Sequence, residues 1–335
     1  MASGKAEKRK KMRQRRIEGE ILGNKLVVTG LTGKKSGGAF AKRLAGKWDS
    51  IIEKFPDGVR AIVRQTSNTE ILKRLLPDVE LSICELSDEK ALQHALEGAD
   101  TVFHVAGIHN SRQIVRVAAS CGVRRLIAVH TTGIYSRYKK AGEEYRRIDG
   151  DVERICRENG IALTILRPTM IYGNLYDNNL CVFIRMVASM PLVPIVNGGV
   201  CELQPVHYDD LADAYYLTLM NEASTAGKNF ILSGGEAIPF RDMLTKIGGL
   251  LGKDVRFIDC PFPLAYGLAW ALFCLTFGRK DYREKVQRLC ESRAYPHDEA
   301  MEAFGYRPRN LSEGLVPEIA EYLALSSLKR AQKRQ

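Results

Sequence analysis

KLVVTGLTGKKSGG, residues 25–38, decides the fold. Its first five residues, apolar and β-branched after Lys25, predict a strand over Lys25–Thr29, and AFAKRLAGK beyond Gly38 has the composition of a helix. Between them stand glycines that let a backbone approach a pyrophosphate, while the N-terminus of the following helix offers N–H donors and the positive end of its dipole. The spacing departs from GxxGxxG: Ser36 occupies the third glycine's place and Gly37 follows one residue later, so an insertion at Lys34 or Lys35 widens the loop. Gly30, Thr32, Gly33, Ser36 and Gly37 are the expected cofactor-binding residues of this turn, with both lysines available to a phosphate. A purely structural turn is the bland alternative.

Working outward, the alternation continues. Strands are expected at Val59–Val63, 79–85, 101–106, 126–131 and 163–167, with helices over 37–55, 67–76, 88–97, 110–121 and 141–159. Runs such as TVFHVA and LIAVH are continuously apolar, as strands buried on both faces of a parallel sheet are. The pattern predicts an α/β fold, a Rossmann doubly wound parallel sheet with ligands at the carboxyl ends of its strands. After about residue 173 the alternation weakens. A helix near 178–190, a strand near 203–206, helices near 208–222 and 239–252, and more after 262 form a smaller C-terminal substrate lobe. The expected division is a basic tail (1–22), an NAD(P)-binding domain (23–175, with core strands continuing intermittently beyond), the lobe (176–327) and a second basic tail (328–335).

The end of the second strand distinguishes the two pyridine dinucleotides. An acidic residue there suits the ribose 2′-hydroxyl of NAD, and an arginine suits the 2′-phosphate of NADP. The sequence reads AIVRQTSN, with Arg64 and no acid, so NADP is expected over NAD.

Composition limits the rest. The 335 residues are 45% apolar and 27% charged, which excludes collagen-like, disordered and disulfide-scaffold classes. The formal charge of +11 resides in the termini, net +7 over residues 1–16 and +4 over 328–335, so residues 17–327 balance and present no specific nucleic-acid surface. No apolar stretch follows the N-terminal basic run, so it is not read as a secretory signal, and a cytoplasmic protein is expected. The eight cysteines contain no CxxC pair and read as reduced, and the six histidines contain no HExxH, so no metal is indicated.

Together these residues resemble the short-chain dehydrogenase/reductase superfamily in its extended or atypical NAD-dependent epimerase/dehydratase branch, over roughly residues 24–325. TGLTGKKSGG resembles its TGxTGxxG turn. CELSDEKAL resembles the step after strand three, which implies that Glu85 and Leu86 meet the adenine. VFHVAG implies that Val105, Ala106 and Gly107 line the nicotinamide ribose side. AVHTTGIYS, LRPTMIYG, QPVHYDDLADA and FGYRPRNLSEGL resemble later family elements in the family's order, and the second of these places Arg167 and Pro168 on the cofactor side.

The family's chemistry uses a Ser/Thr hydroxyl, a tyrosine as acid/base, and a lysine four residues after it. Thr132 (or Thr131) stands at the hydroxyl position and Tyr145 follows Thr132 by 13 residues, but the residue four beyond Tyr145 is Asp149. An acid there is expected to raise a phenol's pKa. A second match, Tyr135 with Lys139, lies too close to Thr132 for the family's spacing. His130 reads as a packed core histidine, and His109 as the histidine nearer the ligand. The resemblance implies an oxidoreductase or epimerase acting on a nucleotide sugar or a related carbonyl or alcohol, and allows a homodimer. The alternative is a non-catalytic dinucleotide-binding sensor or assembly protein. Finally, Asp259 and Arg279 bracket 19 uncharged residues, too interrupted by Pro261, Pro263 and Gly267 to span a bilayer. A buried helix is expected there, with peripheral membrane or partner contact through 260–278 as the alternative.

Overall fold

The computed structural model describes residues 23–332, the side chains of the last four excepted, so the basic tail 1–22 and the cations of 329–335 lie outside the described residues. Seven strands form the central sheet: β1 (Lys25–Thr29), β2 (Val59–Val63), β3 (Glu80–Ile83), β4 (Ala99–His104), β5 (Arg125–Val129), β6 (Ala162–Pro168) and β7 (Asn229–Leu232). Their order is β7-β6-β5-β4-β1-β2-β3, and the pairings from β3 through β6 are all parallel. The order reverses at β1, with β2 on one side and β4 on the other, which is the switch point where such sheets take ligands. All five residues of β5 are buried, as the apolar runs predict.

The expected helix over 37–55 is two helices, Ser36–Ala45 and Trp48–Lys54, separated where the amides of Gly46 and Lys47 close back on Lys42 and Leu44. Strand β3, at the sheet edge, is shorter than expected, and Ile83 at its end is exposed. The strand β7 had no counterpart among the expected elements.

The chain folds into two compact units. The first comprises the described residues up to His130 with Tyr145–Arg167 and Tyr215–Phe230, and the second comprises Thr131–Glu144, Pro168–Ala214 and the residues from Ile231 onward. Relative to a single boundary after 175, residues 131–144 and 168–175 join the second unit and 215–230 return to the first. The fully buried guanidinium of Arg125 holds the returning segment: Nη1 donates to Leu219 O (2.9 Å), and Nη2 donates to Thr218 O (2.7 Å) and Thr225 Oγ1 (2.9 Å). Phe40, Phe103 and Tyr215 add an aromatic cluster with centroids 4.8–5.6 Å apart.

The second unit packs the helices Leu180–Ser189, Phe240–Leu250 and Leu311–Gln332 around Ile184, Ile195, Leu203, Leu244 and Leu315. Its core contains a pair of acids. Asp177 caps the amides of Asn179 and Cys181, and Glu318 Oε2 accepts from Gly173 N. Asp177 Oδ2 and Glu318 Oε1 are buried without a donor, so the pair must carry a proton. Burial first, then the charge of Asp177, pushes Glu318 up to about 9. An acid whose pKa is raised by folding takes up a proton as the chain folds, so the contribution of Glu318 to stability is greatest in acid and declines as pH rises from 4.5 towards about 9. Glu318→Gln supplies the amide without that proton. Chemical denaturation across this range should show a flatter pH profile for the variant and greater stability than the parent at neutral pH.

Candidate dinucleotide-binding site

The turn after β1 is shaped by contacts that exclude a Cβ. Gly30 adopts φ +85°, and a Cβ on it would lie 3.0 Å from Ala106 N. A Cβ on Gly37 would stand 2.0 Å from Gly30 O, and one on Gly38 2.4 Å from Gly33 O. Gly37, not Ser36, is therefore the glycine that lets the helix close on the strand, and the extra residue is absorbed at Lys34 and Lys35. The Gly33 amide donates to Gly30 O (3.1 Å), and Lys35 ends the loop without a side-chain cap on the helix Ser36–Ala45. A helix leaves its first amides without internal partners. An uncapped first turn beside a loop of backbone fits a diphosphate.

The ends of β1 and β4 are joined through Thr29. Its Oγ1 accepts from the amides of Val105 (3.2 Å) and Ala106 (3.3 Å) and lies 2.8 Å from His104 Nδ1. His104 Nε2 is 3.0 Å from Gly107 O. That carbonyl only accepts, so Nε2 carries the ring proton and Nδ1 receives the Thr29 hydroxyl proton. Burial lowers His104 to about 4, which keeps it neutral. Sequence reasoning passed over Thr29 and His104, although both lie inside the quoted motifs. Together they fix the path of Val105, Ala106 and Gly107, all three expected at the cofactor.

At the end of β2, Arg64 is exposed, its amide donates to Ser67 Oγ (3.2 Å), and Thr32 Oγ1 reaches the same oxygen (3.4 Å). Thr32 and Arg64, distant in sequence, thus meet through one serine. Glu85 is exposed, and Leu86 packs on the sheet's apolar core. In the first unit Tyr145 packs beside His109, ring centroids 5.4 Å apart. In the second, Thr132 is buried and donates to Pro168 O (3.2 Å), whereas the half-exposed Thr131 accepts from Gly133 N (3.0 Å). Tyr135 is exposed and its ring packs near Tyr295.

Residues 51–179 match the NAD(P)H-binding family. The fold is the one seen in solved NAD-dependent dehydratase and epimerase structures. It is 23% identical over 274 residues to the 2-alkyl-3-oxoalkanoate reductase of Stenotrophomonas maltophilia, covering 69% of this chain and 83% of that one. Among solved structures it superposes on a dTDP-glucose 4,6-dehydratase from Streptomyces venezuelae with NAD bound (TM-score 0.68, 18% identity, 90% of this chain and 97% of the other). It superposes likewise on a UDP-glucose 4-epimerase from Thermotoga maritima (TM-score 0.64, 19% identity, 90% and 99%).

In the first unit, the residue one helical turn beyond Tyr145 is turned into the core. Asp149 Oδ1 is 2.6 Å from His130 Nδ1, and Oδ2 accepts from Arg167 Nη1 at 2.6 Å. His130 Nε2 is 2.9 Å from Ser111 Oγ. Burial works to raise Asp149, but the His130 hydrogen bond and the Arg167 charge hold its carboxyl below the ordinary range. Asp149 is thus the centre of a buried cation–acid–imidazole group. Arg167, expected at the cofactor, has its guanidinium on this acid, and His130 is the core histidine expected, with two polar partners. The metal-free expectation concerns all 335 residues. Among the described ones no cluster of His, Cys, Asp and Glu forms a metal site.

Two outcomes follow. Gly37→Ala drives a methyl group into Gly30 O, and thermal melting should show a loss at or beyond the roughly 1–3 kcal/mol typical of overpacking, with dinucleotide affinity lost alongside. Asp149→Asn leaves Arg167 buried without its counter-charge, a loss of about 3–5 kcal/mol by denaturant titration. A carboxyl held low by folding stabilises above its unfolded pKa and loses that contribution in acid. The gap between parent and Asp149→Asn should therefore narrow as pH falls below 3.8.

Proposed function

We propose that the protein is an NAD(P)-dependent oxidoreductase or epimerase, with NADP preferred, acting on the carbonyl or alcohol of a nucleotide sugar. The observation that carries this reading is the contact of Gly37 with the Gly30 carbonyl, which sets an uncapped helix N-terminus beside the glycine turn. The dehydratase and epimerase neighbours support the substrate class, and the reductase relative supports carbonyl chemistry. When bound, the dinucleotide supplies or accepts the hydride.

The chain's own residues have separate tasks. Backbone amides of the turn and the first turn of the helix Ser36–Ala45 hold the diphosphate, and Arg64 presents a guanidinium to the 2′-phosphate. Tyr145 holds the proton exchanged with the substrate oxygen at its phenol Oη, with the His109 ring packed beside it. Of the two threonines, Thr132 already gives its proton to Pro168 O, while Thr131 accepts from Gly133 N and keeps its proton for another acceptor. Thr131 is therefore our choice over Thr132 for the hydroxyl available to a substrate.

Asp149, fixed by Arg167 and His130 where the family has lysine, favours a second reading: dinucleotide binding without efficient turnover. Calorimetry with NADPH and NADH, followed by turnover assays over nucleotide sugars and hydrophobic ketones, separates the two. The enzyme reading expects Tyr145→Phe to lower kcat by about 10²–10⁴-fold with dinucleotide affinity retained. Thr131→Val should cost more activity than Thr132→Val. Arg64→Ala should weaken NADPH by about tenfold or more and leave NADH unaffected, as loss of a charge-assisted contact does. Tight binding with no turnover on any substrate supports the second reading, and binding of neither dinucleotide overturns both.

A further inference from the structure

A helix apolar on every side is normally enclosed by protein. The helix Phe262–Leu275, in the uncharged stretch between Asp259 and Arg279, is not: Ala269 is its one buried residue. At about 100° per residue, Ala269 lies on one side with the half-buried Ala265, Tyr266 and Phe273. The other side carries Leu264, Leu268, Trp270 and Leu275, which are 57, 61, 54 and 78% exposed. The exposed face extends past the helix end to Phe277, 95% exposed and held at φ +51°, a left-handed backbone that a bulky side chain rarely adopts. The amides of Phe277 and Gly278 bond back to Cys274 and Phe273, fixing this end. The expectation of a buried helix is corrected here: Ala269 alone is buried, and the leucines and Trp270 on the far side are exposed.

Charge adjoins this face on one side. Residues 279–288 hold Arg279, Lys280, Arg283, Lys285 and Arg288 against Asp281 and Glu284. Asp281 is already bound to Arg283 (2.9 Å) and to Lys140 (2.7 Å), while Arg279, Lys280 and Lys285 are exposed. We infer that this face docks the protein on an anionic lipid surface, with the helix lying in the interface. Leu264, Leu268 and Leu275 would enter the acyl boundary, Trp270 would sit at headgroup depth, and the three exposed cations would meet lipid phosphates. Fourteen helical residues span about 21 Å, short of the roughly 30 Å hydrocarbon core, and none of the described helices is long and apolar enough to cross it. A second copy is a poorer occupant, since a two-fold interface would set the same cations against one another.

Flotation of the full chain with vesicles rich in phosphatidylglycerol, compared with phosphatidylcholine alone, tests the inference. Binding should be about tenfold or more stronger on the anionic vesicles, as three cations near such a surface provide. It should fall by a similar factor in Leu268→Glu/Leu275→Glu, with NADPH affinity unchanged as the check on folding. Should that variant fail to fold, Arg279→Glu/Lys280→Glu/Lys285→Glu, beyond the helix, must lose the preference for phosphatidylglycerol. Vesicle binding that survives both sets of substitutions would assign the contact to the N-terminal basic run and overturn the inference. So would an absence of vesicle binding, or a dimer by light scattering that Leu268→Glu/Leu275→Glu dissociates.

Discussion

The carbonyl oxygen of Gly30 and the α-carbon of Gly37 meet so closely that no side chain can stand between them. This contact fixes how near the helix Ser36–Ala45 approaches the sheet, and the other features of the first unit depend on that distance. Phe40, one turn along the helix, reaches Phe103 in β4 and Tyr215 from the returning segment because the helix lies this low. On the other side of the same turn, Gly30 comes close to Ala106, and Thr29 ties the amides of Val105 and Ala106 to β1. Loop, helix and the tip of β4 are thus one rigid structure built from small residues, with its amides presented at the carboxyl edge of the sheet.

What the chain states about itself locally was readable. The turn with its displaced glycine, the six strands β1 to β6 and the presence of an acid at Asp149 all follow from spacing and from the chemistry of neighbouring residues. Where a side chain finds its partner is a different matter. Asp149 predicts trouble for a nearby phenol as long as it is read alone. Arg167, 18 residues later, and His130, 19 earlier, give it a different place. The hydroxyls of Thr131 and Thr132 are indistinguishable in sequence, yet one is an acceptor for Gly133 and the other a donor to Pro168. The four residues of β7 carry too short a pattern to announce a strand, and what makes them one is the open edge of β6.

The two buried acid groups show how the same carboxyl chemistry is handled in opposite ways. In the first unit a negative charge is retained, because a guanidinium and an imidazole are brought to it. In the second, Glu318 and Asp177 lack any such cation at their inner oxygens, and a proton takes its place. Both arrangements link core elements that are far apart in sequence, and both leave the fold sensitive to acidity, though at different ends of the scale.

The position of Arg125 has a further consequence, for the order in which the protein can be assembled. Its buried guanidinium waits for carbonyls at 218 and 219 and a hydroxyl at 225, and β6 waits for residues 229–232. A nascent chain emerging from the ribosome therefore exposes an uncompensated cation and an open sheet edge until residue 232 is out. Neither compact unit is a continuous stretch of polypeptide, so no single cut releases one of them whole. Long-range closure of this kind slows folding.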